Sequence, residues 1–288
     1  MMAWDEAGCE RMRDAAQRNR KVLELGYQRN YNPLYRSAYE GIIKTGAIGE
    51  IYHVRTAWHR NGSWRRKGDP PTPDFNPSQW GYPTFDHLLN WRLYWKYSQG
   101  LMAELCSHQI NAVNWFLGST PEAVIASGGL YRFPEGREVF DHVYATFEYP
   151  GGRSVTFSSI ESNAFDDYYE MYQGTKGTLI LLRESEAMLF DEEASKRSTA
   201  IAVSGQDGGA VAQSSETMAG NRNMNTGAGA ATSAPATGPR PIRLQIQRFC
   251  AAIRVGTPVA CGPDKAIASA RPCIRANEAI KQKTRLLV

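Results

Sequence analysis

The sequence predicts an α+β fold with a mainly antiparallel sheet, on three observations. Its elements run helix, strand, helix, and then one helix over a long series of strands. Segments of strand character follow one another: "EAVIASGGLYR", "HVYATFEYP", "RSVTFSSIES", "YYEMYQGTKGTLILL" and "EAMLFD". Turn signals at Pro150-Gly151-Gly152 and Gly174-Thr175-Lys176-Gly177 join them as an antiparallel meander.

Element by element, residues 3–20 read as a helix, with Ala7, Met12 and Ala15 on one side and Arg and Asp residues on the other. "KVLELGY" (21–27) reads as a short strand. A second helix, about 33–45, opens at Pro33, where a missing N–H costs nothing, and stops at Gly46. "GEIYHVRTAWHR" (49–60) alternates with period two, as a strand does. Residues 61–83 are irregular and rich in Gly, Pro, Trp and Arg; so long a loop in a compact domain is often functional. A helix over about 99–117 precedes the meander. Residues 204–240 carry almost no large apolar side chain and are expected to be a flexible insertion, because burial there cannot offset the entropy of ordering. Helices at about 241–255 and 263–282 close the chain.

The 288 residues are 42% hydrophobic and 22% charged, an ordinary soluble composition. A net charge of +4 is too small to imply nucleic acid without a local basic patch. The one basic loop, "WHRNGSWRRKGDPP" (58–71), reads as a rim loop with solvated charges rather than a base-stacking surface. Cys9, Cys106, Cys250, Cys261 and Cys273 are scattered without the spacing of a zinc or redox pair, which suits reduced thiols in a cytoplasmic protein. No run reaches the length of a membrane helix, and no membrane partner is expected. "GAGAAT" (227–232) begins like a dinucleotide fingerprint, but no strand precedes it and its third glycine is missing.

The informative stretch is "GLMAELCSHQINAVNW" (100–115). At 100 degrees per residue, Glu104, Ser107, His108, Asn111 and Asn114 share one stripe, and Leu105, Cys106, Ile110, Val113 and Phe116 cover the other side. A water-facing stripe is the plain reading. However, no Lys or Arg occurs between Tyr97 and Tyr131, whereas solvated helices usually carry several, so a pocket lining is an equal reading. Residues four apart are neighbours on a helix, so Glu104 could orient the His108 imidazole, which could then exchange a proton with a substrate hydroxyl. The same pair could hold a metal, but the sequence nominates no third ligand.

The segment "WRLYWKYSQGLMAELCSHQINAVNWFLG" (91–118) resembles the substrate-domain helix of the glucose-fructose oxidoreductase / inositol dehydrogenase / rhizopine catabolism (Gfo/Idh/MocA) family. "GYQRNYNPLYRSAYEGIIKTGAIGEIYHVR" (26–55) resembles that family's last cofactor-domain strand and the crossover after it; "YEMYQGTKGTLIL" and "NEAIKQKTRLLV" are similar to its sheet and final helix. The resemblance implies a large, mainly antiparallel open sheet with helices on one face. It also implies an NAD- or NADP-dependent oxidoreductase for a sugar, cyclitol or related polyol, and a homo-oligomer formed through the sheet face. By position, His108 is the implied acid/base and Glu104 its carboxylate, with Glu in place of the usual Asp. Gln28 and Arg29 correspond to residues near the nicotinamide. His59, Arg60, Arg92 and Asn111 are the candidate substrate contacts.

The family's glycine fingerprint and Glu-Lys-Pro motif do not occur in this sequence. Residues 1–27 are therefore expected to be the last helix and strand of a dinucleotide-binding domain, and 28–288 the substrate and oligomerisation domain. The chain by itself is expected to show little or no dehydrogenase activity. Cleavage of glycosides through transient use of NAD, and a non-catalytic oligomerising scaffold, are the alternative functions.

Overall fold

The computed structural model describes residues 1–192, 198–203, 210–214 and 241–288. Its centre is a ten-stranded sheet: β1 (Ile51–Asn61), β2 (Ala123–Gly129), β3 (His142–Tyr149), β4 (Arg153–Ile160), β5 (Ser162–Gly174), β6 (Gly177–Leu182), β7 (Glu186–Asp191), β8 (Ser198–Val203), β9 (Ala210–Ser214) and β10 (Leu286–Leu287). The spatial order is β10-β2-β3-β4-β1-β5-β6-β7-β8-β9. Every neighbouring pair is antiparallel except β1 and β4, so the predicted meander is interrupted by one earlier strand slotted into its middle. The predicted insertion at 204–240 lies outside the described residues, except that 210–214 pairs with β8 as a strand.

Period-two alternation decides which face is buried. In "HVYATFEY", Val143, Ala145, Phe147 and Tyr149 are buried, whereas Tyr144 between them is exposed. The inward residues of β1 to β6 pack beneath helices α2 (Pro33–Ala38), α4 (Ser107–Leu117) and α6 (Pro263–Gln282), while α1 (Glu6–Arg18) packs on α6; α3 (Phe85–Leu89) and α5 (Pro241–Val255) complete the helices among the described residues. Ile110, Val113 and Phe116 of α4 meet Cys273, Ala276, Ala279 and Ile280 of α6 above Val143, Phe147 and Phe157. The closing helices span the residues expected of them, 241–255 and 263–282. The other sheet face leaves Ile125 and Tyr144 exposed.

Two local differences bear on the site. Residues 21–27 run extended but belong to no sheet; Leu25 N–H donates to the Cys261 carbonyl instead, so the predicted strand there is not formed. The segments predicted as uniform helices also contain π-turns, at Tyr39–Ile43 before β1 and at Met102–Cys106 before α4. Gly100 starts the second of these at φ +57, where a Cβ would lie 2.9 Å from that of Val139. Only glycine fits that left-handed, crowded start.

Candidate functional site

The site gathers where α4 begins, above the end of β1. A π-turn spends an extra residue per hydrogen bond and so rotates the side chains before it relative to those after it. Ser107 ties this turn down by donating its hydroxyl to the Ala103 carbonyl at 2.5 Å. As a result Glu104 reaches Arg92 rather than the imidazole four residues on, with Arg92 Nε donating to Glu104 Oε2 at 2.8 Å. The structure thus gives Glu104 a different partner from the one expected at i, i+4 spacing.

His108 faces aromatic rings. The edge of Tyr27 lies 5.2 Å away between ring centroids and Trp58 lies 6.2 Å away. Its Nδ1 is shielded from solvent and makes no hydrogen bond. The other four histidines are all engaged: His53 with Ser154, His59 with Ser158 and the Phe165 carbonyl, His87 with Thr84 and His142 with Asp141. Burial, reinforced by the nearby Arg29 guanidinium, lowers the His108 pKa to about 3, so the imidazole is neutral at any ordinary pH.

Trp58 is the floor of this site. Tyr168 stacks on its indole at 4.9 Å, and the guanidinium carbons of Arg29 and Arg60 lie 5.3 and 6.0 Å from its centre. Arg29 is sealed at 1% exposure and pairs with Glu170 Oε1 at 2.6 Å and Glu184 Oε1 at 3.0 Å. Tyr35 donates to the other Glu170 oxygen. Burial pushes the Glu170 carboxyl up while Arg29 pulls it back, and the carboxylates raise Arg29 above the ordinary arginine range, which keeps it charged. The sequence carries a trace of this pair. Glu170 stands opposite Thr56 and Leu181, whose side chains are buried or nearly so, and a carboxylate at an inward position needs a cation.

Arg60 has no such partner among the described residues. It lies over Trp64 at 4.8 Å as well as over Trp58 and forms no ion pair or hydrogen bond, and its Nε is buried and unpaired. Desolvation lowers its pKa; Glu161 and Glu104 nearby act in the opposite sense. Glu161 is itself held by the fully buried Arg137, and burial lifts its pKa to about 7.

Four expected site residues take other places. His59 is on the opposite sheet face from Arg60, because neighbours on a strand point apart. There it lines a shallow depression of about 580 Å³ with Arg55, Ser127 and Tyr144. Asn111 is a buried peg that accepts from Asn30 at 2.7 Å and donates to Ser269 at 3.0 Å. Asn114 likewise bridges Tyr149 and the Ala268 carbonyl. The polar stripe is therefore mostly neither solvated nor pocket-lining, because α6 packs along it. Gln28 gives its amide N–H groups to Glu184, and Arg29 is enclosed, so the residues expected beside a nicotinamide do not by themselves fit a dinucleotide. Arg92, Glu104, His108 and Arg60 do come together, with Trp58 beneath them. Sequence reading missed Trp58, Tyr168 and Tyr27. The traces of Trp58 are its place beside Arg60 in the basic stretch 58–71, read there as a packed indole, and its even-numbered, inward register on β1.

A mixed, mainly antiparallel sheet with helices on one face, carrying an imidazole and a guanidinium without hydrogen-bond partners among the described residues, defines an α+β domain with a candidate ligand site. Residues 38–180 match the GFO/IDH/MocA C-terminal domain, and the chain belongs to the Gfo/Idh/MocA family. It is 23% identical over 211 residues to YteT of Bacillus subtilis (strain 168), a protein named as an oxidoreductase. That match covers 70% of this chain and 44% of YteT. In fold it is similar to aldose-aldose oxidoreductase from Caulobacter crescentus, with TM-score 0.67 and 19% identity over 100% of this chain and 70% of that one. It is also similar to an inositol dehydrogenase homolog from Azotobacter vinelandii solved with NADH and myo-inositol, with TM-score 0.67 and 13% identity over 99% of this chain and 69% of that one. The chain thus spans less than half the length of YteT.

Proposed function

We propose that this chain forms the substrate side of an oxidoreductase for a sugar, cyclitol or related polyol, with His108 as the group that receives the hydroxyl proton. The observation that carries this reading is that His108, alone among five histidines, has neither ring nitrogen hydrogen-bonded. A shielded polar atom without a partner calls for an explanation, and a substrate hydroxyl is a partner that suits an imidazole. A neutral imidazole can accept a proton. Its low basicity is no bar, because an alcohol O–H becomes strongly acidic as its carbon turns into a carbonyl.

Beside His108, the Arg92–Glu104 pair offers donors and acceptors to substrate hydroxyls. NAD or NADP as the oxidant rests on likeness to the family's solved members, among them the NADH complex above.

The histidine side-chain NMR signals test the reading. A sugar or cyclitol that binds should shift the His108 resonances and leave those of His53, His87 and His142 in place. A panel of aldoses, uronates and inositols that leaves His108 unmoved contradicts it. In nicotinamide-linked turnover of such a substrate, His108→Asn should lower kcat about 100-fold or more with a much smaller change in KM. An unchanged kcat removes His108 from the chemistry.

A further inference from the structure

Arg60 is a cation without an anion. The other buried or half-buried arginines around this site are paired: Arg29 with Glu170 and Glu184, Arg92 with Glu104, and Arg137 with Glu135 and Glu161. Arg60 shares their surroundings but has only ring faces beneath it, Trp58 at 6.0 Å and Trp64 at 4.8 Å. Its Nε is buried with no acceptor. A half-buried guanidinium gives up hydration, and without a carboxylate that loss is uncompensated. Of the two acidic groups that act on it, Glu161 has one oxygen on Arg137 and the other buried without a partner, and Glu104 has one oxygen on Arg92; neither pairs with Arg60.

Its position specifies what would complete it. Arg60 and His108 lie at similar distances, 6.0 and 6.2 Å, from the centre of the same indole. A ligand that meets both groups would set a hydroxyl at His108 and an acidic group at Arg60, on the borders of one indole. Stacking on two indoles holds the guanidinium plane, and a fixed guanidinium presents paired N–H groups to a planar carboxylate. We propose that the substrate is a sugar acid, whose carboxylate is bound by Arg60 while a ring or chain hydroxyl faces His108. This rests on the polyol reading of the site and narrows it to the acidic members of that class.

Calorimetric titration of the purified chain separates the two claims. The ligands are galacturonate, glucuronate and gluconate against galactose, glucose and myo-inositol, with glucose 6-phosphate as a second anion. The expected result is a sugar acid that binds about ten-fold or more tightly than its neutral counterpart. Arg60→Gln should erase that preference by lowering sugar-acid affinity more than neutral-sugar affinity, whereas Arg60→Lys should keep part of it because the charge remains. Thermal unfolding of each variant shows that it is folded. Neutral sugars binding as well as the acids, or an acid preference that survives Arg60→Gln, overturns the role of Arg60 and leaves the polyol reading standing. Stronger binding of the phosphate than of any carboxylate also overturns it. If no sugar of either kind binds, the polyol reading falls and this inference with it.

Discussion

Arg29 and Arg60 lie against the same indole, yet their surroundings are opposite. Arg29 is enclosed, pairs with two carboxylates and holds one end of the network that runs through Glu170 and Tyr35. Arg60 is half-buried and touches only rings. The same residue type on one side chain's two flanks thus does two jobs. A buried cation that has its anions is structure. One that lacks them marks where something else binds. The same contrast runs along the helix above. Asn111 and Asn114 are satisfied within the protein, whereas His108, one turn earlier, is not.

This comparison can be broken from the structural side first. Glu170→Gln removes a carboxylate from a fully buried pair and leaves Arg29 with Glu184 alone. The expected loss is about 3 kcal/mol of unfolding free energy, at the low end for a broken buried pair because one partner remains. Chemical denaturation measures it, and a loss under about 1 kcal/mol would mean that Arg29 does not depend on Glu170. A smaller effect is expected one layer up. Asn111→Ala leaves the Asn30 amide and the Ser269 hydroxyl short of a partner, at about 2 kcal/mol. Sugar affinity, measured on the same protein, should stay within about two-fold, since the side chain faces α6. Unchanged stability with lost affinity would return Asn111 to the pocket.

Much of this was legible in the sequence. The closing helices α5 and α6 lie where they were expected, and the strands of the meander followed from strand composition and glycine turns. What could not be read depends on contacts far along the chain. Residues 21–27 have strand composition, but a strand needs a neighbour, and here the backbone meets Cys261 instead. The slot of β1 between β4 and β5 is set by packing across more than 90 residues. The π-turn at Met102–Cys106 has no signature in its letters, and it redirects Glu104 from His108 to Arg92. The polar stripe of α4 was visible, but whether water, a pocket or α6 covers it is decided by tertiary structure alone. Glu104 and His108 were nominated because short polar side chains stood out in an apolar stretch, and Arg60 and Arg92 came only with the family resemblance. Trp58 and Tyr168 were not nominated, because an aromatic residue on a strand looks the same in a core as in a pocket floor.

The central claim is that His108 is an unpartnered, neutral imidazole. An NMR pH titration of its ring signals tests this most directly. Burial and Arg29 place its folded pKa at about 3 against an ordinary 6.5, so the signals should stay at their neutral positions from pH 7 down to about pH 4. The same shift fixes the sign of a stability effect. Between 6.5 and about 3 the unfolded chain binds a proton that the folded one does not. Stability should therefore fall as pH falls through that window, by up to about 1.4 kcal/mol per pH unit, and His108→Leu should remove that part of the slope. A midpoint near 6.5 for His108 would contradict the account, because it would mean an imidazole open to water and free of Arg29.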